Sequence, residues 1–283
     1  MYGSIEFGGT KIRCAVFDKD GEILETTWID TTNPKDNMEK IVEFYQKNPV
    51  EKLGVGAFGP IDLNEKSKNY GLIENTPKEK WQGFDLLGNL KKNVCQNVGL
   101  VTDVGLSLIG EDMKGASKDL KSSIYLTVGT GIGGAYIQNG KLLNGYSHPE
   151  MGHVSIKRNE DDDFKSTCTY HDDCLEGLAC GPSVEKRLGK NPKEASLNEK
   201  SFKIAANYIA QGILTYSLVL RPEIVIIGGG LINKDGFIEL IREEFDKIKT
   251  GYIDIIKTSD YIVKPKLGND SALVGGYYLA KSL

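Results

Sequence analysis

The sequence lacks any long apolar run, any block of basic residues and any low-complexity segment. No hydrophobic stretch in its 283 residues approaches the roughly 20 apolar residues that a membrane-spanning helix needs. Lysine and arginine (35 together) are interspersed with aspartate and glutamate (39 together), and the formal net charge is −4. We therefore expect neither a membrane nor a nucleic acid as the main partner.

Cysteine and histidine are scarce, with five and three residues. An odd number of cysteines argues against a disulfide scaffold and favours a reducing compartment. The first residues show neither the basic nor the apolar segment of a secretory signal, so a cytoplasmic location is expected. The length suffices for two domains, and 40% hydrophobic with 26% charged residues is an ordinary globular composition.

The few histidines and cysteines are not scattered, because all three histidines and two cysteines fall between residues 148 and 174. Cys168, His171 and Cys174 have the spacing C-x2-H-x2-C, so one short loop can turn all three toward a single ion. His153 adds a fourth ligand, and two thiolates with two imidazoles suit a tetrahedral structural Zn²⁺. The alternatives are a surface loop with chance cysteines, or a disulfide between Cys168 and Cys174.

Two carboxylates, Glu150 and Glu176, bracket this cluster in the sequence. Both can reach one side of the loop that a metal would hold rigid. The arrangement is typical of a polar substrate bound beside a structural ion, with the metal outside the chemistry.

A glycine turn between two predicted strands lies near the start of the chain, at Gly8, Gly9, Thr10 and Lys11. Glycine has no Cβ, so such a turn can bring backbone N–H groups close to an anion, although a simple tight turn is the alternative. A second turn, at Gly129, Thr130 and Gly131, repeats the pattern of strand, glycine turn, strand and tight hairpin. This echo predicts a duplicated α/β domain pair that faces across a cleft, with each hairpin offering donors to a phosphate.

Asp103 follows a predicted strand over residues 98–102, and open α/β sheets bind ligands at the carboxyl ends of their strands. A carboxylate at that place is either a general base or the N-cap of the helix that follows. Later in the chain, an apolar strand ends in a triple-glycine turn at Gly228, Gly229 and Gly230, over which a flat ligand such as adenine with its ribose can lie.

The apolar periodicity predicts helices over residues 34–48, 84–97, 176–188, 201–220, 237–249 and 271–283. The apolar stripe of the helix over 201–220 is expected in the core or in a dimer interface. Short strands are predicted over 53–58 and 261–265. Between residues 70 and 81, a polar loop with Asn75 and Trp81 either lines a sugar pocket or is a connection with a packed tryptophan.

These motifs together resemble the ROK family of sugar kinases, and most closely its bacterial fructokinase branch, over nearly the whole chain. Residues 8–11 and 129–134 are similar to the two phosphate motifs, residues 56–62 to the sugar-domain turn, and residues 148–176 to the E-x-G-H and zinc segment. The resemblance implies the two-domain hexokinase/actin-like (ribonuclease H-like) α/β fold. Its N-terminal domain would span residues 1–113, with helix 271–283 packing back on it, and the C-terminal domain residues 114–270.

The resemblance also implies an activity: an ATP-dependent hexose kinase that forms homodimers and is most similar to fructokinases. A glucose or mannose kinase and a non-catalytic sugar-binding protein remain the alternatives. Asp103 would take the proton from the sugar hydroxyl. The implied sugar ligands are Glu150, His153, Glu176, Gly59 and Asn75, with His153 also on zinc. ATP, with Mg²⁺, would lie along residues 8–11, Gly129, Thr130, Gly131, Pro182, Gly228, Gly229 and Gly230.

Two positions depart from the family pattern. Glu6 stands where aspartate is commoner, and Gly105 stands where the family usually has asparagine, two residues after the implied base. Glu6, the segment from Asn75 to Lys78 and residues 161–164 favour fructokinase over glucokinase. Gly105 puts one supporting contact in doubt but leaves Asp103 in place.

Overall fold

A computed structural model describes all residues from 1 to 283 and divides them into two compact units. Unit 1 contains residues 1–119, 142–148 and 266–283, and unit 2 contains residues 120–141 and 149–265. The first stretch of unit 1 ends six residues after the domain boundary expected at residue 113. Residues 142–148 group with unit 1, although they fall within the range expected for the C-terminal domain.

The chain forms ten strands and nine helices, with short 3₁₀ turns at Glu79–Trp81, Met151–His153 and Gly268–Asp270. In chain order they are β1 (Tyr2–Phe7), β2 (Lys11–Phe17), β3 (Ile23–Asp30), α1 (Pro34–Lys47), β4 (Lys52–Ala57), α2 (Leu86–Asn93), β5 (Asn97–Thr102), α3 (Asp103–Lys114), β6 (Ser122–Val128), β7 (Ile132–Gln138), β8 (Lys141–Leu142), α4 (Leu175–Ala179), α5 (Gly181–Leu188), α6 (Lys200–Val219), β9 (Ile224–Gly228), α7 (Phe237–Ile248), α8 (Thr258–Tyr261), β10 (Ile262–Val263) and α9 (Ser271–Ser282). None of these helices is both long enough and apolar enough to span a membrane.

The two sheets have the same topology. The first has the order β3-β2-β1-β4-β5, and the second has the order β10-β9-β6-β7-β8. In each, a hairpin (β1–β2 or β6–β7) is antiparallel, and the first hairpin strand pairs in parallel with a strand that follows a helical connection (β4 or β9). The duplicated α/β architecture expected from the two glycine turns is therefore confirmed at the level of strand order.

Three predicted elements have different bounds. The helix predicted over 176–188 is two helices, because Cys180 is extended and Pro182 in the first turn of α5 has no N–H for a continuous helix. The helix predicted over 84–97 ends at Asn93, and β5 begins at Asn97. The strand predicted over 261–265 is reduced to two residues, because Thr258–Tyr261 closes a helical turn.

The apolar stripe of α6 forms the centre of the unit 2 core. Tyr208, Ile209 and Ile213 are fully buried there, so these residues of the stripe lie in the core.

In the core of unit 1, the buried Trp81 packs edge-on against Phe7 and Phe58. The loop over residues 70–81 therefore contains a packed tryptophan, one of the two interpretations of this segment.

The last helix, α9, packs against α3 at a distance that only glycine allows. A Cβ at Gly275 would lie 1.8 Å from the Leu106 carbonyl oxygen, and a Cβ at Gly110 would lie 2.0 Å from the Ser271 carbonyl oxygen. Between the same elements, the buried Glu111 carboxylate accepts the Ser271 hydroxyl at 2.7 Å and the Leu267 N–H at 2.9 Å. The first turn of α9 is thus tied to the helix that begins at Asp103.

Gly275→Ala should destabilise the protein by about 1 to 3 kcal/mol, because the added methyl group overpacks the α3–α9 contact. A loss of stability would be informative, because replacing glycine by alanine in an uncrowded helix instead stabilises a protein by roughly 1 kcal/mol. Urea unfolding of the variant and the wild type measures the difference. Gly145→Ala is the control, because nothing lies within 4 Å of a Cβ there, and equal stability of the Gly275→Ala protein and this control would contradict the packing account.

Candidate functional site

Asp103 lies at the carboxyl end of β5, as the first residue of α3. The helix N-cap is Thr102, whose hydroxyl accepts the Gly105 N–H at 3.1 Å, so Asp103 is not the capping residue. Its Oδ1 accepts the N–H of Val104 at 2.8 Å. A Cβ at Gly56 of β4 would lie 3.0 Å from the Asp103 Cα, so glycine at position 56 lets the start of α3 approach the sheet.

Gly105 is part of the same helix start. A Cβ built there would lie 3.0 Å from the Thr102 Oγ1, which is closer than almost all real contacts of this kind. The residue that departs from the family pattern therefore fits the tight capped turn around Asp103, and the chain keeps the local geometry of this carboxylate.

A second carboxylate, Glu6 at the end of β1, shares the surroundings of Asp103. The pKa of Glu6 is raised to about 7 in total, chiefly by burial and next by the charge of Asp103, while the charge of Arg13 acts in the opposite direction. Arg13 lies opposite Glu6 in the β1–β2 register, 3.9 Å from its carboxylate, and it pairs with Asp270 at 2.7 Å. Near neutral pH, this site therefore holds Glu6 in both its protonated and its ionised form.

The first glycine turn (residues 8–11) is closed by the Gly8 N–H, which donates to the Lys11 carbonyl at 3.0 Å. The backbone of Thr10 continues toward β3, where its carbonyl accepts the Thr31 N–H at 2.9 Å. The ammonium of Lys11 pairs with Asp30 at 3.3 Å on the exposed side of the hairpin. The Lys11 side chain is therefore paired with a carboxylate on the surface of the hairpin.

Two further predicted sugar ligands lie in unit 1, on the connections that follow β4. Gly59 precedes Pro60 in a cis peptide bond. The side-chain oxygen of Asn75 accepts an N–H from Gln82 at 3.3 Å, and Gln82 also binds the Thr76 carbonyl at 2.8 Å. Asn75 itself is exposed, so its amide is accessible to a ligand.

In unit 2, Glu176 joins the second glycine turn (residues 129–131) to the histidine segment. Its Oε2 accepts the Ile132 N–H at 2.8 Å, and a Cβ at Gly131 would lie 2.5 Å from the same oxygen. Its Oε1 lies 3.8 Å from the Nε2 of His153. Two of the predicted sugar ligands, Glu176 and His153, are therefore neighbours. The third, Glu150, is exposed, and its carbonyl accepts the His153 N–H at 3.0 Å.

The predicted nucleotide residues of unit 2 come from three separate parts of the chain and lie together. The Gly181 N–H, directly before Pro182, donates to the Gly129 carbonyl at 2.8 Å. A Cβ at Gly129 would be 3.9 Å from the backbone nitrogen of Gly230. In the third glycine turn (residues 228–230), Gly229 has a φ of +99°, and a Cβ there would clash with Val128, whereas open space lies beside Gly230.

The His/Cys cluster (His153, Cys168, His171 and Cys174) is assembled as the spacing predicts. Its ligand atoms all lie within 4.8 Å of one another, and the Sγ of Cys168 is 3.8 Å from the Nδ1 of His153 and 3.7 Å from that of His171. Both cysteines are free thiols, which removes the disulfide alternative. Burial raises the pKa of the Cys174 thiol to about 12.

The chemistry of this donor set fits a tetrahedral metal ion. Bonds of about 2.0 to 2.3 Å to nitrogen and sulfur separate tetrahedral ligands by roughly 3.3 to 3.8 Å, so the observed spacing needs only small adjustments. Two thiolates and two imidazoles complete the coordination, which leaves no position for a substrate. The cluster is therefore suited to a structural ion rather than a catalytic one.

The segment before the cluster has an anchor that the sequence analysis missed. Asp162 and Arg187, whose side chains are 4% and 6% exposed, form an ion pair at 2.8 Å, and the Tyr208 hydroxyl donates to Asp162 at 2.7 Å. The guanidinium also lies 4.0 Å from the centre of the Phe164 ring. Only the run of three aspartates followed by Phe164 signalled this site in the sequence, because its partners lie on α5 and α6.

The family model of the ROK family matches residues 2–283. The chain is 40% identical over 282 residues to a fructokinase of Pediococcus pentosaceus, covering 100% of this chain and 98% of the relative. It is 42% identical over 285 residues to a fructokinase of Lactococcus lactis subsp. cremoris, covering 100% and 97%. Among solved structures, a ROK hexokinase from Thermus thermophilus matches with a TM-score of 0.80 at 24% identity, covering 99% of this chain and 98% of that one.

The protein belongs to the ROK family, and the family resemblance and fold class predicted from its motifs are confirmed.

Arg187→Met should lower the free energy of unfolding by about 3 to 5 kcal/mol, because it leaves the Asp162 carboxylate buried without its cation. Lys186→Met, at the exposed neighbouring position, should change stability by less than about 0.5 kcal/mol. Urea unfolding at neutral pH measures both.

The same pair predicts a pH dependence. Burial tends to raise the pKa of Asp162, but hydrogen bonds from Arg187 and Tyr208 and the charge of Arg187 outweigh it and lower the pKa below 3.8. A lowered pKa stabilises the fold above the unfolded-state value, and this contribution is lost as the pH falls through the folded-state value. The stability difference between wild type and Arg187→Met should therefore be largest near neutral pH and shrink as the pH falls to about 4 and below, because acid protonates the unpaired carboxylate in the variant and then the paired one in wild type. A difference that does not change down to pH 2 would contradict this assignment.

Proposed function

We propose that this protein is a fructokinase that transfers a phosphoryl group from ATP to the 6-hydroxyl of D-fructose. The observation that carries the proposal is the full-length similarity, at 40% identity or more, to relatives named fructokinase. Asp103 at the end of β5, next to Gly56 of β4, supplies the chemical group that such a reaction needs.

Asp103 acts as the general base. A sugar hydroxyl is a poor nucleophile, so a carboxylate must accept its proton as the phosphoryl group arrives in line. The position of Asp103 as the first residue of a capped helix, held by Thr102 and Gly56, fixes this carboxylate before substrate binds.

Glu150, His153 and Glu176 bind the sugar hydroxyls, together with Gly59 and Asn75. The neighbouring His153 and Glu176 side chains support this assignment, because a carboxylate oxygen and an imidazole 3.8 Å apart can bind adjacent hydroxyls. Glu176 is held by the Ile132 N–H, which leaves its other oxygen for a ligand.

The nucleotide lies along the glycine turns, with phosphates at residues 8–11 and 129–131 and the adenosine along Pro182 and residues 228–230. The backbone contacts among Gly129, Gly181 and Gly230 support this part of the proposal. Mg²⁺ accompanies ATP and spreads the charge of the transferring phosphoryl group. We also propose that the protein forms a homodimer and that it is located in the cytoplasm.

Zn²⁺ is held by His153, Cys168, His171 and Cys174 in a structural role. Bound there, it would link the turn at Met151–His153 to the start of α4, which carries Glu176. These residues would then keep the sugar ligands at a fixed spacing, with the ion outside phosphoryl transfer.

An ADP-release assay with ATP and Mg²⁺ tests the function across fructose, mannose, glucose and N-acetylated amino sugars. The proposal expects strong turnover on fructose and much weaker turnover on the others. Turnover on glucose or mannose in preference to fructose would reassign the substrate. Sugar binding without turnover would favour a non-catalytic sugar-binding protein.

Asp103→Asn should reduce kcat by at least about 100-fold, because the hydroxyl then lacks a proton acceptor. Fructose affinity and melting temperature should stay close to wild type. Asp112→Asn, on the same helix, is the matched control and should keep full activity. Near-normal turnover in the Asp103→Asn protein would remove the assignment of the base.

Removal of the metal should lower both the melting temperature and the affinity for fructose, because the loop that carries the sugar ligands loosens. Cys168→Ser should reproduce both effects, and Cys95→Ser, at a buried cysteine outside the cluster, should not prevent metal binding. Elemental analysis, calorimetric melting and fructose titration check the three quantities. An unchanged melting curve in verified metal-free protein would count against the structural ion.

A further inference from the structure

Lys78 is a half-buried cation beside the groups to which the proposed function assigns the chemistry. Its ammonium donates to the carbonyl of Gly9 in the first glycine turn. It also lies 5.2 Å from the centre of the Phe58 ring, which is itself buried. The lysine thus reaches from the Asn75 loop to the turn at which a phosphate is expected.

Two opposing effects act on the charge of Lys78. Burial lowers the pKa of Lys78 and outweighs the charge of Asp103, which raises it, so the carboxylate acts on this ammonium. Burying a cation has a cost, which is offset when the charge meets an anion. An ammonium has three N–H donors, so a hydrogen bond to Gly9 leaves capacity for further acceptors.

The site needs a cation because its protein charges oppose an incoming phosphate. Glu6 and Asp103 both contribute negative charge at this end of the sheet, and Asp103 raises the pKa of Glu6 by repulsion. A phosphoryl group that approached these carboxylates would meet the same repulsion. The other nearby cations already pair with carboxylates of the protein, because Arg13 pairs with Asp270 and lies 3.9 Å from Glu6, and Lys11 pairs with Asp30.

We propose that Lys78 is a catalytic residue whose ammonium binds the phosphoryl group during its transfer to the sugar. The proposal rests on the kinase function. During the reaction the bond between the γ-phosphorus and the ADP oxygen breaks, and a bond to the sugar oxygen forms. The hydroxyl proton passes to Asp103. Lys78 keeps its own protons and stabilises the charge on the phosphoryl oxygens through hydrogen bonds.

This role differs from sugar binding in a measurable way. A group that touches only the phosphoryl oxygens contributes to the affinity for the phosphorylated sugar and not to that for the free sugar. Lys78→Gln removes the charge and keeps a polar side chain, whereas Lys78→Arg keeps the charge. Lys80→Gln, at an exposed lysine two residues further on, is the matched control.

The experiment combines steady-state kinetics with calorimetric titration of fructose and of fructose 6-phosphate into each metal-loaded protein. Lys78→Gln should lower kcat by about 100-fold, as expected for loss of one donor to developing charge. It should also weaken fructose 6-phosphate binding by about tenfold or more and leave fructose affinity within about twofold. Lys78→Arg should recover most of both losses, and Lys80→Gln should match wild type.

Three results would overturn the proposal. These are an unchanged kcat in Lys78→Gln, equal losses of affinity for fructose and for its phosphate, or a fall in melting temperature that Lys78→Arg shares and that accounts for the lost activity. These outcomes leave the kinase function standing when the wild type phosphorylates fructose. A wild-type protein that phosphorylates no sugar would instead overturn both proposals.

Discussion

The contact between α3 and α9 is the constraint on which the position of Asp103 depends. Two glycines, Gly110 and Gly275, let helix backbones touch where any side chain would collide with a carbonyl oxygen. Glu111 then accepts hydrogen bonds from the N–H groups of Lys266 and Leu267, just before α9, and from the Ser271 hydroxyl at its first residue. Because α3 begins at Asp103, a shift of α9 would move the residue that we propose as the base.

In unit 2 a comparable dependence centres on Glu176. One carboxylate oxygen accepts a backbone N–H from the strand after the second glycine turn, and the other faces His153 of the His/Cys cluster. One side chain therefore contacts both the strand after the second glycine turn and the His/Cys cluster. Through this link, the zinc ion proposed for the cluster would affect sugar affinity without taking part in the chemistry.

Much of the fold and of the candidate site could be predicted from the sequence, because the signals for these features are local. Glycine turns between strands, the C-x2-H-x2-C spacing and Asp103 after a strand each lie within a few neighbouring residues. The missed features are non-local: Arg13 meets Asp270 and Asp162 meets Arg187 only after distant segments pack. The break at Cys180 had a local signal, because Pro182 lies inside the helix predicted over 176–188, where a proline interrupts a helix, and the prediction followed the apolar periodicity instead.

All of the residue roles proposed for this protein depend on phosphorylation of fructose at its C6 oxygen. ³¹P NMR of the purified protein with ATP, Mg²⁺ and fructose follows that transfer directly. The proposed function predicts that ATP is converted to ADP with an equal amount of one phosphate monoester. The phosphorus–proton coupling of this monoester should assign it to the C6 oxygen. Formation of inorganic phosphate instead of a sugar phosphate, or a monoester on another carbon, would contradict it.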